Sequence, residues 1–116
     1  MQIWLRRAYE PPGAHDGTRV LVDRLWPRGV SKQQAAIDHW FKDLAPTQAL
    51  RGWYGHDLER WPQFQARYRD ELEKRRDQVG ELCKLVDQGR VTLVYAARDE
   101  EHSNARVLKD YLEQRC

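Results

Sequence analysis

Apolar residues along the chain gather into four short runs that end in charge, and into longer stretches where they recur every three or four positions. The clearest run is Val91 to Ala97, VTLVYAA, which follows the turn signal Gln88-Gly89-Arg90 and breaks at once into Arg98-Asp99-Glu100-Glu101-His102. Its β-branched and aromatic content predicts a short buried strand. Residues 2–8, QIWLRRA, predict a first strand, Arg19-Val20-Leu21-Val22-Asp23 a second, and the alternation over Ile37-Asp38-His39-Trp40-Phe41 a third. Residues 10–17, EPPGAHDG, hold two prolines and two glycines, which exclude regular structure and leave His15 in water.

Helical spacing fills much of the remainder. Pro27 and Gly29 delay any helix until Ser31, a good N-cap for a short helix over Lys32 to Ala36. Thr47 caps a two-turn helix through Leu50 and Trp53, and Asp57 caps the next. From Leu58 to Gly89 the stripe Trp61, Phe64, Tyr68, Leu72 and then Val79, Leu82, Leu85, Val86 predicts two helices, or one broken near the apolar-free interval 73–78 and Gly80. Val107, Leu108, Tyr111 and Leu112 predict a closing amphipathic helix from Ser103. The order of elements is that of an α/β protein, and 116 residues suffice for one domain spanning 1–116.

Charge narrows the class of partner only slightly. Twenty Lys and Arg against 18 Asp and Glu leave a net +2, too little to demand nucleic acid or a membrane surface, so any basic footprint is local. No apolar run nears the ~20 residues that span a bilayer, and MQIWLRRAYE does not read as a signal peptide, so a cytoplasmic protein without membrane contact is expected, as a monomer or small homo-oligomer. Cys83 and Cys116 have neither metal-ligand spacing nor the number of a disulfide framework and are expected as unpaired thiols.

Candidate chemistry lies where the strands end. Parallel strands would bring Asp23-Arg24, Lys42-Asp43 and Arg98-Asp99 together, in the position where open α/β sheets bind ligands. Arg24, Arg28 and Lys32 surround an expected helix N-terminus, where unpaired amides and the helix dipole favour anions. The same cations would otherwise pair with carboxylates in water. His56 next to Asp57, and His102 near Asp99, are possible acid/base groups on loops, although for His56 and Asp57 a solvated or capping pair is the commoner case. Trp26, Trp53 and Trp61 sit beside turns, either plugging the core or lining a pocket. Four consecutive residues, Asp99 to His102, cannot easily turn all their side chains to one metal ion. No P-loop, GxGxxG, nucleophile elbow or zinc spacing occurs, and nothing names a cofactor.

Three strings, RVLVDRLWPRGVSK from Arg19, DLAPTQALRGWYGHD from Asp43 and VTLVYAARDEEHSNARVL from Val91, resemble the signature of the YeaO-like family across nearly the whole chain. That resemblance implies a small Rossmann-like, three-layer α/β fold with a short, mostly parallel sheet of about four strands, and no established activity. It also draws in Tyr95 and Asn104, which belong to the last string. Broader relatives carry a Cys after the strand and a Cys-His-Arg string before the helix. This chain lacks both cysteines, which argues against thiol chemistry there.

Residues and resemblance together predict a charged pocket for an anionic ligand: a nucleotide, a phosphorylated metabolite or a stretch of nucleic acid. Its expected donors and walls are Arg24, Trp26, Arg28, Lys32, Arg51, Trp53, Tyr95, Arg98 and Asn104. Three readings follow. In an enzyme, His56 or His102 works as acid/base, oriented by Asp99 or Asp57. In a binding module the same pocket, or Trp26, Trp53 and Tyr54 as a stacking face, holds ligand without turnover. In the third, Arg24, Asp99 and their neighbours form a structural ion network and the protein acts through a partner.

Overall fold

Val91–Tyr95 (β4) is buried at all five positions, which places it inside a sheet with both faces covered. The structure, a computed structural model describing residues 1–116, bears this out: four parallel strands in the order β1-β4-β2-β3. Ile3–Arg7 (β1) pairs along the whole of β4, with Ile3 opposite Val91 and Arg7 opposite Tyr95. Thr18–Leu21 (β2) lies on the other side, Thr18 opposite Val91. The third strand, expected over five residues, shortens to His39–Trp40 (β3) on the far edge. The chain therefore enters the centre of the sheet last, and the loops after β2 and β4 leave from adjacent strands at the same end.

The two faces are unequal. On one, Ile3, Val20, Val22, Val91, Leu93 and Tyr95 meet the helices Gln48–Tyr54 (α2), Trp61–Glu73 (α3), Arg76–Gln88 (α4) and Asn104–Arg115 (α5) in a core of 20 buried residues. The apolar stripes read from the sequence are the inward faces: Phe64, Tyr68 and Leu72 on α3, Val79, Leu82 and Val86 on α4, Val107, Leu108, Tyr111 and Leu112 on α5. On the other, Ala8, Leu21 and Val94 are covered only by the single-turn helix Lys32–Ala35 (α1) and its flanking loops, through Trp26, Ile37 and Trp40. The two indoles meet edge-on at 5.5 Å, and each ring N–H donates to a carbonyl, of Val30 and Asp23 respectively.

Caps fall where the sequence put them. The Ser31 side chain accepts from the Gln34 amide, with the Gln34 side chain returning to the Ser31 amide as a capping box, and Thr47 accepts from Leu50. The break in the long helical stretch falls at Lys74-Arg75, ahead of Gly80, which lies within α4 where a side chain would meet nothing.

The two cysteines correct the expectation of free thiols. Cys83 on α4 and Cys116 at the end of α5 form a disulfide, their Cα atoms 5.3 Å apart. Neither their number nor their spacing of 33 residues announced the pairing; the packing of α4 beside α5 creates it.

Candidate functional site

The carboxyl ends of β2 and β4 open into a pocket of about 540 Å³. Asp23, two residues beyond β2, forms part of its wall: one carboxylate oxygen accepts from the Ala96 amide at 2.9 Å, the other from the Asn104 side chain at 3.2 Å. Asn104, the first residue of α5, also donates to the Val22 carbonyl at 3.1 Å. These bonds lock the two strand ends and the helix start together. Burial pushes the Asp23 carboxyl above its ordinary pKa, and the amide donors together with the Arg51 charge offset only part of that.

Arg24 and Arg51 line the same space. Arg24 reaches the carbonyls of Pro46 and Ala45 at 3.4 and 3.5 Å, both long contacts, and neither arginine is in an ion pair. Guanidinium groups on a concave wall without carboxylate partners are suited to a bidentate anion. His56 lies on the rim, exposed, with φ at +57°, in the turn after the left-handed cap Gly55. Tyr54 and Phe64, stacked at 4.5 Å, supply an apolar wall.

His102 lines the pocket from the loop ahead of α5. Its Nδ1 lies 2.7 Å from the Asp99 carboxylate, and the ring packs edge-on against Trp61 at 5.1 Å. Asp99 also accepts from the backbone amides of Glu101 and His102, forming a local turn. The imidazole hydrogen bond leads the interactions that hold the Asp99 carboxyl below its ordinary range. A carboxylate on Nδ1 orients the ring and leaves Nε2, which has no partner in the chain, to meet a ligand.

Of the twelve residues singled out from the sequence, Arg24, Arg51, His56, His102 and Asn104 line this pocket, and Asp99 stands behind His102. The others lie elsewhere. Trp26 is locked beneath the thin layer, and Arg28 and Lys32 are exposed outside the pocket wall, as is Arg98. Trp53 is in contact with Arg67 and Arg60, their guanidinium carbons 4.0 and 5.4 Å from the ring centre. Tyr95 is in the core, its hydroxyl pushed up to about 12 by burial, with Glu100 and Glu10 adding to the effect. Lys42-Asp43, the third expected strand end, does not reach the pocket; the Lys42 ammonium rests on the Trp40 ring at 4.0 Å. His56 and Asp57 do not pair, since Asp57 caps the 3₁₀ turn Leu58–Arg60.

Sequence reasoning missed the ion cluster the fold does contain. Asp16, 1% exposed, pairs with Arg19 at 2.5 Å and Arg6 at 3.1 Å and accepts from the Gly13 amide. Arg19 also donates to the Ala35 carbonyl through Nε and Nη2. An arginine opening the apolar run Arg19 to Val22 was the available signal. Burial alone would raise the Asp16 pKa, but the Gly13 amide and the two guanidiniums outweigh it and hold the carboxyl below 3.8. This cluster sits at the start of β2, whereas Asp99 is exposed and Arg24 unpaired.

A family model described as "Inactive DUF488-N3 subclade" matches residues 2–116. Uncharacterized protein Rv3073c of Mycobacterium tuberculosis is 41% identical over 114 residues, covering 98% of this chain and 96% of that protein. Uncharacterized protein Mb3100c of Mycobacterium bovis matches to the same extent. Uncharacterized protein YeaO of Escherichia coli is 35% identical over 112 residues, 97% of each chain. No solved structure matches.

Proposed function

We propose a role for this chain as a member of the inactive DUF488-N3 subclade and of the YeaO-like family, to both of which it belongs: it binds a small anionic, phosphate-bearing ligand between the ends of β2 and β4 without turning it over. The observation that carries the reading is the pair Arg24 and Arg51, two unpaired guanidiniums on the wall of a cavity whose volume falls in the ~300–1,000 Å³ range of small-molecule sites. The start of α5 adds the positive end of a 12-residue helix beside Ser103 and Asn104. Binding without turnover agrees with the word that describes the subclade, and with a site that holds no thiol, since both cysteines are tied together on α4 and α5.

The test is calorimetric titration with inorganic phosphate and with AMP on the unmodified chain, Arg24→Ala and Arg51→Ala. Support is saturable binding that falls at least tenfold in each variant and weakens with salt, as exposed charge pairs must. Unchanged affinity in both variants would place the anion elsewhere.

A second reading rests on the Asp99–His102 contact, in which His102 acts as acid or base on the bound ligand. Turnover of a phosphate ester, lost in His102→Ala while binding persists, would favour it over simple capture.

A further inference from the structure

The pocket has a negative pole as well as a positive one. Asp23 is on the same wall as Arg24 and Arg51, yet it is in no ion pair with either. Each of its oxygens accepts one hydrogen bond in the chain, from Ala96 and from Asn104, and a carboxylate has room for about four. A purely anionic ligand would meet this charge at a cost, because like charges in a desolvated space repel strongly. A structural reason for the residue accounts for two of its acceptor sites only. Asparagine would serve the Ala96 amide but would turn its own NH2 toward the Asn104 donor, so the carboxylate answers both donors and still keeps two acceptor sites to spare.

Resting on the anion-pocket reading, we infer that the ligand is a small zwitterion, whose phosphate or other anionic group sits against Arg24 and Arg51 and whose protonated amine is received by Asp23. The ammonium supplies the cation that the half-buried carboxylate lacks, and it can donate to the two remaining acceptor sites. The neighbouring wall suits such a molecule. The Pro46 and Ala45 carbonyls hold Arg24 loosely, so the guanidinium can turn to an incoming anion, while Tyr54 and Phe64 face any short carbon linker. Burial disfavours the charged form of Asp23 in the empty pocket, so an arriving ammonium favours its ionisation, and it meets a carboxylate that no side chain holds in a direct ion pair.

Matched probes test this. O-phosphoethanolamine and 3-aminopropyl phosphate are titrated against propyl and butyl phosphate, which replace the ammonium by a methyl group, into the full chain and into Asp23→Asn. The expected result is that the better amine binds at least tenfold tighter than its alkyl counterpart, and that Asp23→Asn removes the preference, with the alkyl phosphates binding as well or better. If the variant does not fold, the preference in the unmodified chain still decides between a zwitterion and a plain anion. Alkyl phosphates that bind as tightly as the amines, or a parallel gain for both classes in Asp23→Asn, would overturn the zwitterion while leaving an anion pocket. Failure of all four probes to bind would remove the pocket reading and this inference together.

Discussion

Replacing Asp16 by asparagine removes the only carboxylate that touches the Arg19 guanidinium. The Arg19 side chain is 5% exposed and the Asp16 side chain 2%, so water cannot take the place of the lost charge. Two bonds to the Ala35 carbonyl remain, and Asp38 accepts only from the Arg19 backbone amide. Breaking a buried pair by removing one partner costs about 3–5 kcal/mol. With unfolding entropy near ~2.1 cal/mol/K per residue, 116 residues give ~0.24 kcal/mol/K, so the loss corresponds to a Tm lowered by roughly 12–20 °C. Differential scanning calorimetry measures it directly. The exposed pair Lys109–Glu113 is the control, since Glu113→Gln should cost under about 0.5 kcal/mol. A second readout is pH. The Asp16 pKa is lowered by folding, so its stabilisation is present above the unfolded value of 3.8 and lost as pH falls through the lower folded value. Asp16→Asn should therefore flatten the acid limb of the stability curve. A Tm shift no larger than that of Glu113→Gln, with the acid limb unchanged, would refute the assignment of a buried ion cluster.

Other expectations follow from the same packing. Reducing the Cys83–Cys116 bond, or making Cys83→Ala, opens a 33-residue loop and should cost ~3.7 kcal/mol on the chain-entropy scale, seen as a lowered denaturant midpoint with and without reductant. Trp26→Ala should cost about 3 kcal/mol, the low end for a tryptophan because the ring is only partly buried, by opening the thin layer against Trp40, and leave phosphate affinity unchanged because the indole does not line the pocket. Asp23 has the opposite sign to Asp16. Its pKa is raised by folding, so its contribution is most favourable below the unfolded value and is lost as pH rises through the folded one. Asp23→Asn should accordingly raise stability near neutral pH relative to its effect at pH 3, in paired melts at the two pH values.

Much of the fold was legible because single residues carried local rules. Ser31 and Thr47 cap the helices they were assigned, and the apolar run from Val91 becomes the fully buried central strand, whereas Asp57 caps the 3₁₀ turn Leu58–Arg60 and leaves the start of α3 without a side-chain cap. Strand order was less accessible, since β4 enters between β1 and β2 through contacts made across the whole chain. The same non-local packing brings Cys83 to Cys116. Charge at strand ends pointed to the end of the sheet where the cavity lies, and Arg24 and His102 line it. Arg28, Lys32 and Arg98 share that chemistry, but their direction depends on how each loop leaves its strand, which residue type does not encode. Trp26 misled for the related reason that an aromatic beside Pro27 can close a core as readily as line a cavity.

Amide chemical-shift mapping by ¹⁵N NMR during titration with inorganic phosphate locates a bound anion without presuming which molecule carries it. Binding between the ends of β2 and β4 should move the amides of Arg24, Gly52, Ala96, Ser103 and Asn104 together along one saturable curve, with Arg28 and Lys32 silent. Shifts confined to Arg28, Lys32 and other exposed cations, rising linearly with phosphate, would contradict it.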